Sequence, residues 1–205
     1  MRSILSFSFV LYIVLFVRCN SDKSYVIIGS VPTSNYKGEY VYMIPMDHYS
    51  KERVDSALIA DSSFVFKGKA DSAEIFILRA QKPLSRFELQ DILVVKEPGK
   101  IHVRFDERSS AGGTVLNNTL QRWKVGKESF DDRFNSLSIE FSKADSIRKI
   151  SLSAKSDSLR KANVDFHFNF VKNNRNNIAG KLVYRMAGTS FTEAQKKQIE
   201  DNRLY

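Results

Sequence analysis

With 205 residues the chain can form one sizeable domain or two small ones, and its 42% apolar content fits a globular core. Lys and Arg outnumber Asp and Glu by 32 to 23, a net charge of +9. The cations are spread through both halves with acids between them, which argues against the clustered basic patch of a nucleic-acid interface. One cysteine, Cys19, leaves room for neither an internal disulfide framework nor a Cys-x-x-Cys redox pair.

The first predicted element is an export signal. Met1-Arg2 is followed by a nearly continuous apolar run, Ile4 to Val17, broken only by Ser6 and Ser8. A membrane-crossing helix needs roughly 20 apolar residues, so the run is short for a span and fits a secretory signal. Cys19 follows at once, as in a bacterial lipoprotein signal whose cysteine is acylated after cleavage. Residues 1–18 then form the signal peptide, residues 19–24 a short tether, and cleavage lowers the net charge by two. Arg18 departs from the small residue usual before such a cysteine. An uncleaved signal anchor, and ordinary secretion or chance, stay open beside the lipoprotein reading.

From Val26 the apolar residues alternate in short runs bounded by turns, the period of strands. The predicted strands are Val26–Val31, Glu39–Ile44, Val54–Ile59, Ser63–Gly68, Glu74–Arg79, Phe87–Lys96 and Ile101–Phe105. About seven to eight strands imply an antiparallel β-sandwich over residues 25–113. After Thr114 the period lengthens. Phe130, Phe134, Leu137, Phe141 and Ala144 mark one helix face, and Leu159, Ala162, Phe166 and Phe170 a second, with a break expected in the serine-rich Ser151–Ser158. Asn173 to Asn177 ends that helix, Ile178–Met186 is a shorter one, and Thr192 with Gln195 opens a last one by a capping box, ending near Arg203. Residues 114–205 are thus a helical segment, and the fold class is α+β.

The stretches VDSALIADSSFVFKGKAD (Val54 to Asp71), VVKEPGKIHVRF (Val94 to Phe105) and GGTVLNNTLQRW (Gly112 to Trp123) resemble a domain of unknown function found in Bacteroidota lipoproteins. It usually stands amino-terminal to a thioredoxin-like thiol-disulfide oxidoreductase domain. Gly29, Asp55-Ser56, Phe64, Phe66, Gly68, Glu97-Pro98-Gly99, Gly113-Thr114 and Asn117 carry the likeness, while Ser62-Ser63 departs from the habitual Asp-Gly turn. The resemblance implies an envelope compartment. With Asp22 next to Lys23 in place of an acidic run, it implies the outer membrane facing the periplasm. Residues up to Tyr205 hold no Cys-x-x-Cys, so the oxidoreductase activity of the longer relatives is not carried over.

No catalytic, cofactor-binding or metal residues are assigned. His48, His102 and His167 lie far apart without metal-ligand spacing; Asp47-His48 and Asp165-x-His167 are read as structural, and His102 as facing solvent. Gly112-Gly113-Thr114 lacks the lysine of a phosphate loop and reads as a turn into a helix, with Thr114 or Asn117 near the cap; Glu97-Pro98-Gly99 reads as a tight turn. Tyr36, Tyr40, Tyr42 and Tyr49 form a candidate ligand surface for a sugar or peptide, against the simpler reading of a sheet with one buried and one half-exposed face. Phe166, Phe168 and Phe170 cannot share one helix face, so Phe168 is expected to contact another element. The expected function is a non-catalytic, lipid-anchored envelope module for binding or assembly. It would be held to the membrane through lipidated Cys19, would take an envelope protein as partner and would take no nucleic acid. Two alternatives are an accessory subunit of a thiol-disulfide pathway acting with a separate thioredoxin-like protein, and a carbohydrate-binding or hydrolytic envelope protein.

Overall fold

The computed structural model describes residues 23–81 and 89–201; the apolar run with Cys19, the Phe87 end of one predicted strand and Arg203 lie outside them. Eight strands come first: β1 Ser24–Ser30, β2 Tyr40–Pro45, β3 Asp55–Leu58, β4 Ser63–Lys69, β5 Glu74–Ala80, β6 Ile92–Lys96, β7 Gly99–Arg104 and β8 Ser110–Gly112. They form two four-stranded sheets, ordered β4-β1-β7-β8 and β3-β2-β5-β6. Alternation decides which side faces in: Phe64 and Phe66 of β4, Ile27 of β1 and Ile101 and Val103 of β7 meet Val41, Met43, Leu78 and Val94 between the sheets.

The antiparallel expectation fails at one pair. β1 runs parallel to β7, with Val26 opposite Lys100 and Ile28 opposite His102. After β1 the chain lays β2 and β3 in the second sheet, returns as β4 on one side of β1, crosses again for β5 and β6, and comes back as β7 on the other side of β1 pointing the same way, which only a long connection permits. β8 was not predicted, because Ser110-Ala111-Gly112 carries a single apolar side chain.

The β3–β4 turn is Asp61-Ser62. Ala60 and Ser63 exchange backbone hydrogen bonds of 2.8 and 2.9 Å, and both turn residues have positive φ, +47° and +66°. That is the geometry for which an Asp-Gly pair is preferred, here with Ser62 in the glycine position.

Four helices follow: α1 Val115–Lys143, α2 Ser146–Asn174, α3 Ile178–Ala187 and α4 Glu193–Asp201. The break expected at Ser151–Ser158 is not there. It falls at Ala144-Asp145, where the Asp145 carboxylate accepts from the Arg148 N–H at 2.7 Å as N-cap of α2. The serines are absorbed because their intrinsic cost is a few tenths of a kcal/mol each. Ser158 returns its hydroxyl to the Ala154 carbonyl, and Leu152 and Leu159 bury on either side. Asn174 ends α2, and the Thr192–Gln195 capping box is formed reciprocally, as expected.

α1 and α2 are each about 43 Å long. Burial in α1 stops at Trp123; beyond it Glu128 and Asp132 still reach Gln90 and Arg108 of the sandwich, and the rest of the helix packs on α2, Phe130 meeting Phe166 at 5.4 Å between ring centroids. The pair forms an arm beyond the sandwich. Its root is anchored twice: Leu120 of α1 with Ala179 and Leu182 of α3 covers Ile75 and Val95 on the outer face of the second sheet, and Trp123, Phe168, Val171, Val183, Phe191 and Ile199 form a helical core beside it. Phe168 packs edge-on against Phe191, as its position between Phe166 and Phe170 requires. No described helix is long and apolar enough to cross a membrane.

Candidate functional site

The tyrosines divide. Tyr40 and Tyr42 point outward from β2 while Val41 and Met43 point in, and the two rings lie 6.4 Å apart at 27°. Tyr40 is 42% exposed, with Leu58 opposite it on β3, and Tyr42 lies opposite Arg79 on β5. Tyr49 is 63% exposed in the loop after β2. Tyr36 is only 6% exposed and belongs to the sandwich core, so it leaves the candidate surface. The 3-10 turn Ser34–Tyr36, in which the Thr33 hydroxyl accepts from the Asn35 N–H, carries that ring inward.

The histidine pairs are separated by other partners. Asp47 bonds Arg185 of α3 at 2.6 Å, and Arg53 donates to the Asp47 and His48 carbonyls and to Glu74. These groups line a cleft of about 500 Å³ in which each charge is already matched. Asp165 accepts from Gln195 of α4, and His167 Nδ1 accepts from the Trp123 indole N–H at 3.0 Å. Burial, reinforced by Lys127 and opposed by Asp131, lowers the His167 pKa from its usual 6.5. His102 faces solvent from β7, as expected. Among the described residues no three His, Cys, Asp or Glu side chains gather as a metal site.

The densest polar cluster sits where sheet meets helix. One Glu97 oxygen accepts from the Thr114 hydroxyl (2.5 Å), the Leu116 N–H (2.8 Å), the Asn117 N–H (3.2 Å) and the Asn117 amide (3.3 Å). A carboxylate from the turn after β6 therefore satisfies the free N–H groups of α1, complementing the positive end of the helix. Thr114, the N-cap residue, makes no side-chain cap of its own. The buried Asn117 side chain also donates to the Val95 carbonyl (2.7 Å) and accepts from the Val95 N–H (2.9 Å), behaving as one residue of a neighbouring strand against β6. Asn118 and Gln121 accept from the Gly113 and Ala111 N–H groups, finishing the edge of β8. Gly113 has φ +101°, and a methyl group there would run into the Lys100 carbonyl.

Sequence reading placed Thr114 and Asn117 near a cap but took Glu97 for part of a turn alone. The usable signal was Glu-Pro-Gly and Gly-Thr-x-x-Asn occurring together, since a helix start beside a strand edge leaves donors from both unsatisfied. No curated protein and no solved structure matches the chain. Residues 25–120, the sandwich with the opening turns of α1 that seal its edges, match the family described as Domain of unknown function (DUF4369).

Proposed function

We propose that the protein is a non-catalytic binding or assembly module of the cell envelope, held to a membrane through acylated Cys19 and engaging an envelope protein with its helical arm. The observation that carries this reading is how the polar side chains of the motif are used. Glu97, Thr114 and Asn117 are engaged in fixing α1 to the sandwich. What that joint supports is an arm with hollows on its two sides, of about 490 and 700 Å³, floored by Leu152 and Leu137 and by Leu137 and Leu159. A rigid joint under a projecting helical pair suits presentation of a surface.

The test joins two readouts in the native host. Intact mass of the amino-terminal peptide is expected to show acyl chains on Cys19, and Cys19→Ala is expected to leave the envelope fraction. A photocrosslinker at Ser136 or Ala154 is expected to give one discrete adduct, whereas the same group at Gln81, a surface turn, gives none. Retention of Met1 with an unmodified thiol removes the anchor; diffuse or absent adducts from the arm remove the assembly role.

One observation favours a second reading. The Tyr40–Tyr42 pair is a flat aromatic step on an open face, suited to stacking on a sugar. A Tyr40→Ala, Tyr42→Ala double variant that keeps its retention on envelope glycans would remove it.

A further inference from the structure

We infer that the open face of the β4-β1-β7-β8 sheet lies against an anionic phospholipid surface. An exposed sheet face in a globular protein ordinarily mixes both charge signs with small polar residues. Here no outward position of β1, β4, β7 or β8 carries an Asp or Glu. Lys67 and Lys69 of β4 and Lys100 and Arg104 of β7 all point out and are exposed. Arg104 has Asp106 at 3.8 Å, but Lys67, Lys69 and Lys100 have no ion pair among the described residues.

The registers gather these charges. Val26 of β1 lies between Lys67 on one side and Lys100 on the other, and Ser24 lies opposite Lys69. With strands about 4.8 Å apart, the lysines of the Val26 row start from backbones roughly 10 Å apart. In the next row Ile28, 37% exposed, pairs with Val65, 44% exposed, with His102 on its other side. An apolar pair bordered on one side by three unpaired lysines is the surface chemistry of a protein that rests in a lipid headgroup layer.

The chain's course favours a membrane over a soluble polyanion. Five residues, Cys19 to Lys23, precede Ser24, so they span at most about 18 Å. The three free lysines are in register with the amino-terminal half of β1, the end next to Cys19. A membrane that holds acylated Cys19, as proposed above, therefore meets this part of the sheet first. The contact goes beyond anchoring, because it fixes which face of the sandwich turns to the bilayer and leaves the Tyr40–Tyr42 face, on the other sheet, turned away.

Lysine acetylation footprinting of the full chain tests it. The chain is incorporated into vesicles of phosphatidylcholine alone or of phosphatidylcholine with phosphatidylglycerol, with Lys155 and Lys161 of the arm as internal references. Labelling of Lys67, Lys69 and Lys100 is expected to fall at least fivefold relative to the references on the phosphatidylglycerol vesicles alone, and to recover at about 0.5 M salt, where the screening length is a few ångströms. In Lys67→Glu, Lys100→Glu the protection of Lys69 is expected to vanish while the urea midpoint stays unchanged. Equal labelling on both vesicles overturns the inference while leaving anchoring intact, since the chain still floats with the lipid. Protection that also occurs on phosphatidylcholine alone overturns it by showing contact without headgroup charge. Protection in native envelopes but not on either pure vesicle overturns it in favour of a protein partner.

Discussion

Glu97 gathers donors that would otherwise have no partner, so its removal leaves them stranded in a partly closed joint. Glu97→Ala is expected to cost about 1–3 kcal/mol in urea unfolding, and Glu97→Gln less, because its amide oxygen can still accept from the Thr114 hydroxyl and the helix N–H groups. Ser62 has the opposite character. It holds φ +66° where glycine is preferred, and Ser62→Gly is expected to raise stability by about 0.5–1 kcal/mol, the left-handed strain relieved exceeding the added freedom of the unfolded chain. His167 links stability to pH. Its folded pKa lies below 6.5, so between that value and its folded pKa the unfolded chain binds more protons. The contribution lost on acidification begins as pH falls through 6.5 and is complete below the folded pKa. Protonating Nδ1 would also break the bond from Trp123. The urea midpoint is therefore expected to drop between pH 7.5 and pH 5.5, and to drop less in His167→Gln, which keeps an acceptor.

At the scale of elements, the arm and the sandwich have different sources of stability. The distal halves of α1 and α2 hold each other through a single seam, in which Leu152 and Leu159 are the buried residues of the outer part of α2. Leu159→Ala is expected to cost about 2–5 kcal/mol locally and to speed amide exchange across residues 127–160 while β1, β5 and β7 keep their protection; uniform acceleration would show the arm and sandwich to unfold as one unit. Sequence periodicity found most of both helix faces: Phe130, Phe134 and Leu137 of α1 and Leu159, Phe166 and Phe170 of α2 are buried at least in part, while Phe141 and Ala162 are exposed and Ala144 lies past the end of α1. It misplaced the break because serine propensity is a weak local term, outweighed by burial of Leu152 and Leu159, whereas Asp145 capping costs nothing in packing and sits beside Ala144 in extended geometry.

For the molecule as a whole, the boundary read near Gly113 separates two kinds of secondary structure that share one interior. Ile75 and Val95 face away from the sandwich core and are covered by Leu120, Ala179 and Leu182, while Asn117, Asn118 and Gln121 complete the edges of β6 and β8. Residues 25–113 alone would expose that apolar face and those edges. The fragment is expected to aggregate or to lack fixed near-ultraviolet circular dichroism, and a soluble, cooperatively folded fragment would show the helices to be dispensable to it.

The sequence by itself determined the α+β order, six strands to within two residues and the end of a seventh, most of each helix face and the Thr192–Gln195 capping box, because these follow from periods of two and 3.6 and from local hydrogen bonds. The family resemblance included Glu97, Thr114 and Asn117 among its positions without relating them to one another. Only the tertiary structure decided that β1 and β7 are parallel, that Tyr36 is core while Tyr40 and Tyr42 are surface, and that Glu97 caps a helix that begins some twenty residues on. The reason is physical. Such pairings join residues distant in sequence, and the free energy that selects them comes from burying faces and satisfying edges that no single segment contains.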